Sequence, residues 1–499
     1  MTRPKRNTGE FTGDSKMRRG FRRRIPPVKI LSDCEVEAIH HATLDLLEEV
    51  GCRFDSKKAL DLLKKNDCIV NDQDLRARIP AYLVEEAIRK TPSSFLVRAR
   101  DPKNNMMFGG NTLYFMSSAG ARICDPETGI ARTATLEENN QAVLISDALE
   151  NLDCFPSYTP YFEIEKIEPV MLCPTSLASR IRYSSKVSRG AQVTDSFIWE
   201  IQLAQAVGQQ LLGNMEAAPP LSYPEDAINA GFGYAEAGFP IYIAAGAVMG
   251  GTAPVTLAGS TITNNAELLA AVVFLQLVRP GIGIIANDFV EPIDMRTGSP
   301  AFGSLGCSLH HMAFNQIWNG FYRIPTNNTG PAFPNSKLID FQGGYEKTHI
   351  AMASALSGAN MIVLHGGVSS ELSYHPLQAV MDDDIAAIVG RTIEGFEVND
   401  ETMALEIMKE VEPMRGTYLN KAHTRTLWKK EYYVPKAADR LTYQEWLKTG
   451  RKNSIDYAHE RMKEILASHK PTPITPEQDK EIDRILEEAK RYYRNRGLL

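Results

Sequence analysis

The sequence lacks most of the signatures that tie a chain to a cofactor. It has no G-x-x-x-x-G-K-[ST] loop, no H-E-x-x-H helix and no G-x-S-x-G elbow. Its glycine-rich run GAVMGGTAPVTLAG lacks both the spacing and the downstream acid of a dinucleotide fingerprint. Metal-water, hydride and acyl-enzyme chemistry are left without support, and no metal or nucleotide cofactor of its own is expected. Cysteine is sparse and odd in number, seven in 499 residues with no C-x-x-C pair, which argues for reduced thiols and against a structural zinc site. No stretch approaches the ~20 uninterrupted apolar residues of a spanning helix. The N-terminus is polar and basic where a secretory signal would be apolar, so the expectation is a cytoplasmic chain. A net charge of −6 offers the body no general attraction to nucleic acid.

What is present is an ordinary globular composition, 43% hydrophobic and 23% charged. Residues 1–26 form a basic arm with nine Lys/Arg against two acids. Without a basic domain or stacking platform behind it, the arm reads better as a segment packing on a neighbouring subunit than as a nucleic-acid contact. Residues 27–110 read as a helical N-terminal layer, with apolar residues at helical spacing over 33–50 and further helices near 57–65 and 80–89.

From 111 to 395 short apolar runs alternate with longer amphipathic segments, the pattern of repeated β-α units. The runs are LYFMSS, CFPSYT, KVSRGAQV, AAPPLSY, PIYIAAG, IGIIAND, YRIPTNN and ANMIVLHG. Eight units close a barrel, so the fold class expected is α/β, a TIM-type (β/α)8 barrel; a doubly wound open sheet is the runner-up. Residues 396–499 are charged and helical, a C-terminal cap.

In such a barrel the reactive groups stand at the C-terminal ends of the strands. The ends expected here hold Tyr114, Phe115, Tyr158, Tyr161, Gln192, Ser222, Tyr223, Asn287, Asp288, Glu291, Asn327 and His365, with no lysine or arginine among them. Aromatic faces and acids suit an organic cation, each contact adding ~1–2 kcal/mol when desolvated. The bland alternative is strong, because large aromatics near strand ends are more often packing under a loop.

Three runs resemble the trimethylamine methyltransferase family: MGGTAPVTLAGSTITNNAELLAAVVFLQLVRPG at 249–281, SSAGARICDPETGIARTATLEE at 117–138 and DFQGGYEKTHIAMASALSGAN at 340–360. The resemblance implies a barrel that demethylates methylated amines and passes the methyl to cob(I)alamin on a separate corrinoid protein. Trimethylamine-specific members carry pyrrolysine, whereas this sequence uses only the ordinary twenty residues. It is thus similar to the branch acting on quaternary amines: glycine betaine first, with proline betaine, carnitine or γ-butyrobetaine as alternatives. The chemistry makes that split sensible, since a quaternary nitrogen already carries its charge and leaves as a neutral amine without a general acid.

On this reading Tyr114, Phe115 and Tyr161 surround the trimethylammonium head, with Asp288 or Glu291 as its acid. His365, Asn327 and Gln192 serve a carboxylate at the other end, which requires donors. The catalytic residues proper stay unassigned, because the nucleophile belongs to the partner. The competing functions are a betaine-binding protein without turnover, a nucleic-acid-associated protein using the arm, and the same chemistry on a tertiary amine or a sulfonium. The arm and the aromatic C-terminal stretch point to a homo-oligomer.

Overall fold

The computed structural model describes residues 17–499 apart from Thr159. Eight parallel strands form its centre: β1 (Thr112–Ser117), β2 (Cys154–Phe155), β3 (Val187–Arg189), β4 (Leu211–Glu216), β5 (Ile241–Ala245), β6 (Ile284–Asp288), β7 (Thr326–Asn328) and β8 (Met361–His365). Each pairs with the next in chain order, and β8 pairs back onto β1 with Met361 opposite Tyr114 and Val363 opposite Met116. The sheet therefore closes, and the open-sheet alternative falls. A helix follows each strand: α1 (Leu136–Ala148), α2 (Leu172–Tyr183), α3 (Ser196–Ala206), α4 (Glu225–Ala237), α5 (Leu257–Val278), α6 (Leu305–Asn315), α7 (Phe341–Ser357) and α8 (Pro376–Glu394).

Seven of the eight expected strands lie on the runs named above, and the fourth does not. Its run AAPPLSY is a connection, and β4 precedes it as LLGNME. The reason is chemical. Pro219 and Pro220 have no N–H to give a ladder, whereas Leu211 and Met215 face the helices and Leu212 the barrel interior, as a strand requires. Ser222–Tyr223 instead pairs with Cys52–Phe54 in an outer sheet, and Tyr223 stacks on Phe54 at 5.5 Å. The mouth therefore has neither Ser222 nor Tyr223.

The layer before the barrel contains the three expected helices, at Asp33–Glu49, Lys57–Lys65 and Ala81–Lys90. The first starts on a capping box in which Ser32 accepts from Glu35 N and Glu35 reaches back to Ser32. Three-residue strands at Cys52–Phe54, Ile69–Asn71 and Arg76–Arg78 lie between the helices, too short to show a period in sequence. Helix α5 runs under this layer. It is apolar enough to cross a membrane by composition, yet 83% of its apolar window is buried within the protein. It is the hub of the main core cluster, not a span.

Below the barrel a hairpin, Ser94–Val97 with Met106–Gly109, closes the floor. Residues 1–16 of the basic arm lie outside the described residues. Residues 17–26 pack on the barrel of the same chain. Phe21–Arg22 pairs antiparallel with Thr112–Leu113, and the Phe21 ring lies against Gly390 of α8, where a Cβ would stand 2.3 Å from it. Arg18 pairs with Asp153, and Arg23 donates to the carbonyls of Ala355 at 2.9 Å and Ala359 at 2.7 Å, beyond the last turn of α7. The C-terminal helices Ser454–Ser468 and Pro476–Asn495 lie along the flank against α8, α1, α2 and α3.

Candidate functional site

Strand alternation decides which side chains enter the barrel. At the floor, Tyr114 meets Phe108 with centroids 5.6 Å apart, and its hydroxyl donates to the Arg18 carbonyl at 3.2 Å. Above it Met116, Cys154, Leu212, Ile285 and Met361 make a dry plug. One level higher the interior turns polar. The Asn327 side-chain amide lies 3.0 Å from Tyr242 Oη and 2.5 Å from Asn287 Oδ1, and Thr329 Oγ1 donates to Asn287 Oδ1 at 2.7 Å. Asn214, pointing inward from β4, keeps its buried carbonyl oxygen without a partner among the described residues.

Over this polar layer lies Arg189, the last residue of β3. Its guanidinium carbon is 4.3 Å from the Tyr242 ring centroid, a cation–π contact. Its Nε donates to Ser157 Oγ at 2.9 Å, and a terminal amine stands 3.6 Å from Glu216 Oε1. A buried brace fixes it from behind. Arg180 of α2 donates to the carbonyls of Pro156, Ser157 (2.9 Å) and Arg189 (3.1 Å). Glu200 of α3 stands 4.0 Å from Arg180 and accepts from Ala191 N at 2.8 Å and Tyr234 Oη at 2.9 Å. Burial draws the guanidinium down and Glu200 opposes the fall, leaving it at about 10, so it remains charged at pH 7.

The rim carries the acids. Glu216 ends β4, Glu291 follows β6 and Glu371 follows β8. They feel one another: burial first and then Glu371 raise the Glu291 pKa. Glu291 is 6% exposed with one oxygen unpartnered among the described residues. Burial, then Glu371 and Asp288, push it up to about 9, so it is a neutral acid at pH 7. Two residues before it, Phe289 joins Phe302 and Phe333 in a trio with centroids 5.5–5.8 Å apart, continuous with the Tyr242 cluster. The turn that carries Glu371 is held by Lys347 of α7. This ammonium donates to the Leu364 carbonyl at 2.8 Å and stands 3.2 Å from Asp382, which accepts from Gly366 N at 2.8 Å. Among the described residues no group of three His, Cys, Asp or Glu side chains converges as metal ligands would.

Of the residues named from sequence, Glu291, Asn287 and Asn327 face the mouth or the layer beneath it, and Gln192 stands beside it, accepting from Glu216 N at 2.7 Å. The others are elsewhere. Tyr114 belongs to the floor. Phe115 points outward into the cluster against α7 and α8. Tyr161 is buried behind the mouth with its ring 5.7 Å from Tyr374. His365 also points outward, 6.2 Å from the Phe115 ring and 3.6 Å from Asp383 of α8. Asp288 faces the helices and accepts from His310 Nδ1 at 2.8 Å and His311 Nδ1 at 2.7 Å. Burial raises its pKa, but the two imidazoles outweigh that and hold the carboxyl well below the ordinary range.

The sequence reading missed Arg189, Glu216, Glu371, Tyr242 and the phenylalanine trio. Arg189 was within reach, since it ends the run KVSR at the level where mouth residues stand; the absence of arginine expected of the mouth is corrected by it.

With the geometry in place, comparison with known proteins is direct. The trimethylamine methyltransferase (MTTB) family profile matches residues 2–492. The chain belongs to the trimethylamine methyltransferase family. It is therefore a methyltransferase. It is 30% identical over 470 residues to a glycine betaine methyltransferase of Desulfitobacterium hafniense, spanning 91% of this chain and 96% of that one. It is 28% identical over 475 residues to a trimethylamine methyltransferase of Methanosarcina barkeri, spanning 92% and 95%. The crystal structure of the Methanosarcina barkeri monomethylamine methyltransferase aligns over 94% of each chain at 16% identity and a TM-score of 0.47. The closed barrel rests on the strand pairing itself.

Proposed function

We propose that this methyltransferase removes a methyl group from a small quaternary amine, glycine betaine before proline betaine, carnitine or γ-butyrobetaine, and delivers it to cob(I)alamin carried by a separate corrinoid protein. The observation that carries the reading is the mouth, where three phenylalanine rings and three rim glutamates stand above a packed barrel. A quaternary ammonium is drawn to ring faces and to carboxylates, and it needs no proton to make the amine leave. Glu291 suits this task because its buried carboxyl is neutral when the mouth is empty and becomes a carboxylate when a cation enters. The likeness to a glycine betaine methyltransferase supports the same substrate.

The reduced corrinoid supplies the nucleophile that accepts the methyl. The chain's own residues bind the cation, exclude water and aim one N-methyl outward in a near-attack geometry. The plug of Met116, Leu212, Ile285 and Met361 closes the way downward, so the methyl is directed toward the mouth. The cage gains nothing by gripping the ground state too tightly, since the positive charge disperses in the transition state.

The test is incubation of the purified protein with each amine and a reduced corrinoid, reading the methylated corrinoid by absorbance and the demethylated amine by mass spectrometry. Dimethylglycine formed from glycine betaine in step with corrinoid methylation is the expected result. Binding of the betaines with no transfer to any corrinoid would make this a binding protein.

A further inference from the structure

Arg189 is a cation in a mouth otherwise built for a cation, and its setting is specific. Its side chain is 14% exposed, held from below by the Tyr242 ring and at Nε by Ser157. Both terminal amines are left without a hydrogen bond among the described residues, the nearest acid oxygen being that of Glu216 at 3.6 Å. A guanidinium so anchored presents an open fork, the shape that matches a carboxylate through two parallel N–H···O bonds. The Arg180–Glu200 brace is spent on the backbone carrying Arg189, holding the carbonyls of Pro156, Ser157 and Arg189 itself. Such an investment fixes a direction for the fork, which an arginine serving only to neutralise Glu216 would not need.

Resting on the quaternary-amine reading above, we infer that Arg189 is the specificity-determining residue that takes the carboxylate of a zwitterionic substrate, so that the enzyme selects betaines over quaternary amines of similar size without an acid group. The charges then match end to end. The carboxylate lies on the Arg189 fork over Tyr242, and the trimethylammonium head reaches the phenylalanine trio and the glutamates of the opposite rim. A cation lacking the carboxylate would meet the guanidinium unscreened and be repelled. Choline, tetramethylammonium and betaine esters are thus the ligands to be refused.

The experiment is calorimetric titration of the whole protein with glycine betaine, its methyl ester, choline and tetramethylammonium, without any corrinoid. The wild type is expected to bind betaine at least 100-fold more tightly than the ester, which keeps the shape and removes one charge. In Arg189→Gln the betaine is expected to fall to the affinity of the ester, while Arg189→Lys, a point charge without the fork, recovers only part. The ligand comparison uses the wild type alone, so a variant that misfolds does not spoil it. Equal affinity of wild type for betaine and ester overturns the assignment of Arg189 and leaves the cation cage standing. Failure of every quaternary amine to bind, with or without a carboxylate, overturns the cage and Arg189 together.

Discussion

At the scale of single residues, the site is governed by where charge is compensated. Glu291 is a raised acid, its pKa lifted by burial and then by the charges of Glu371 and Asp288. A cation in the mouth favours its ionised form, so binding must expel a proton wherever the empty site holds one. With the empty-site pKa near 9, apparent affinity for a quaternary amine should strengthen by up to tenfold per pH unit between about pH 6 and 9 and then level off. Titration calorimetry in buffers of different ionisation enthalpy will read the released proton. Glu291→Gln should abolish both the release and the slope, and a slope that survives the substitution would assign it to another group. Arg180 is the opposite case, a buried cation whose loss leaves Glu200 and three carbonyls unsupported. Arg180→Met should cost about 3–5 kcal/mol in denaturant unfolding and weaken carboxylate recognition by releasing Arg189.

At the scale of elements, α5 combines a strong core role with one anomaly. Almost its whole length is buried, and Phe274, packed 4.9 Å from Phe232, lies near its C-terminal end. Phe274→Ala should cost about 3–5 kcal/mol. The anomaly is Glu267, fully buried in the same helix, accepting from Leu221 N at 2.7 Å and pushed up to about 7 by burial. Because its folded pKa lies above the unfolded value, stability falls as pH rises from the ordinary glutamate range through 7 and the full cost persists above that. Glu267→Gln keeps the acceptor and removes the charge, so it should leave stability unchanged near pH 4 and raise it by of order 3 kcal/mol at pH 8.5. The loops at the strand ends behave as a second unit. Met295, Leu305 and Phe341 are 76%, 67% and 86% exposed around the mouth, apolar surface of the kind that marks a docking face. Replacing Met295 and Phe341 by Asp should raise the KM for a corrinoid protein about tenfold while leaving betaine affinity unchanged, which steady-state kinetics with varied acceptor will check.

At the scale of the whole molecule, barrel closure does two jobs at once. It seals the floor with Tyr114, Phe108 and the strand Phe21–Arg22, and it brings residues from β3, β4, β6 and β8 to one rim. This is why the fold was far more legible than the site. Seven strands and most helices could be placed from apolar runs and stop signals, because burial of a strand on both faces writes itself into consecutive residues. The fourth strand was misplaced where prolines and a short apolar run competed for it. The site depended on a finer question: which of two neighbours faces inward. Asn287 and Asp288 are adjacent and both polar, yet one enters the barrel and the other meets His310 and His311. A one-residue change of phase exchanges them, and nothing local records the phase. Phe115 and His365 were misjudged for the same reason, and Glu371 because it lies six residues past its strand.

The sequence by itself determined the repeated β-α architecture, the absence of a cofactor signature, the family and the class of chemistry, since these follow from patterns along the chain. Only the tertiary structure decided that Arg189, Glu216, Glu291 and Glu371 share one mouth. Their separation in sequence spans nearly two hundred residues, and their meeting is fixed by strand tilt and pairing at closure, quantities that no short window of residues contains.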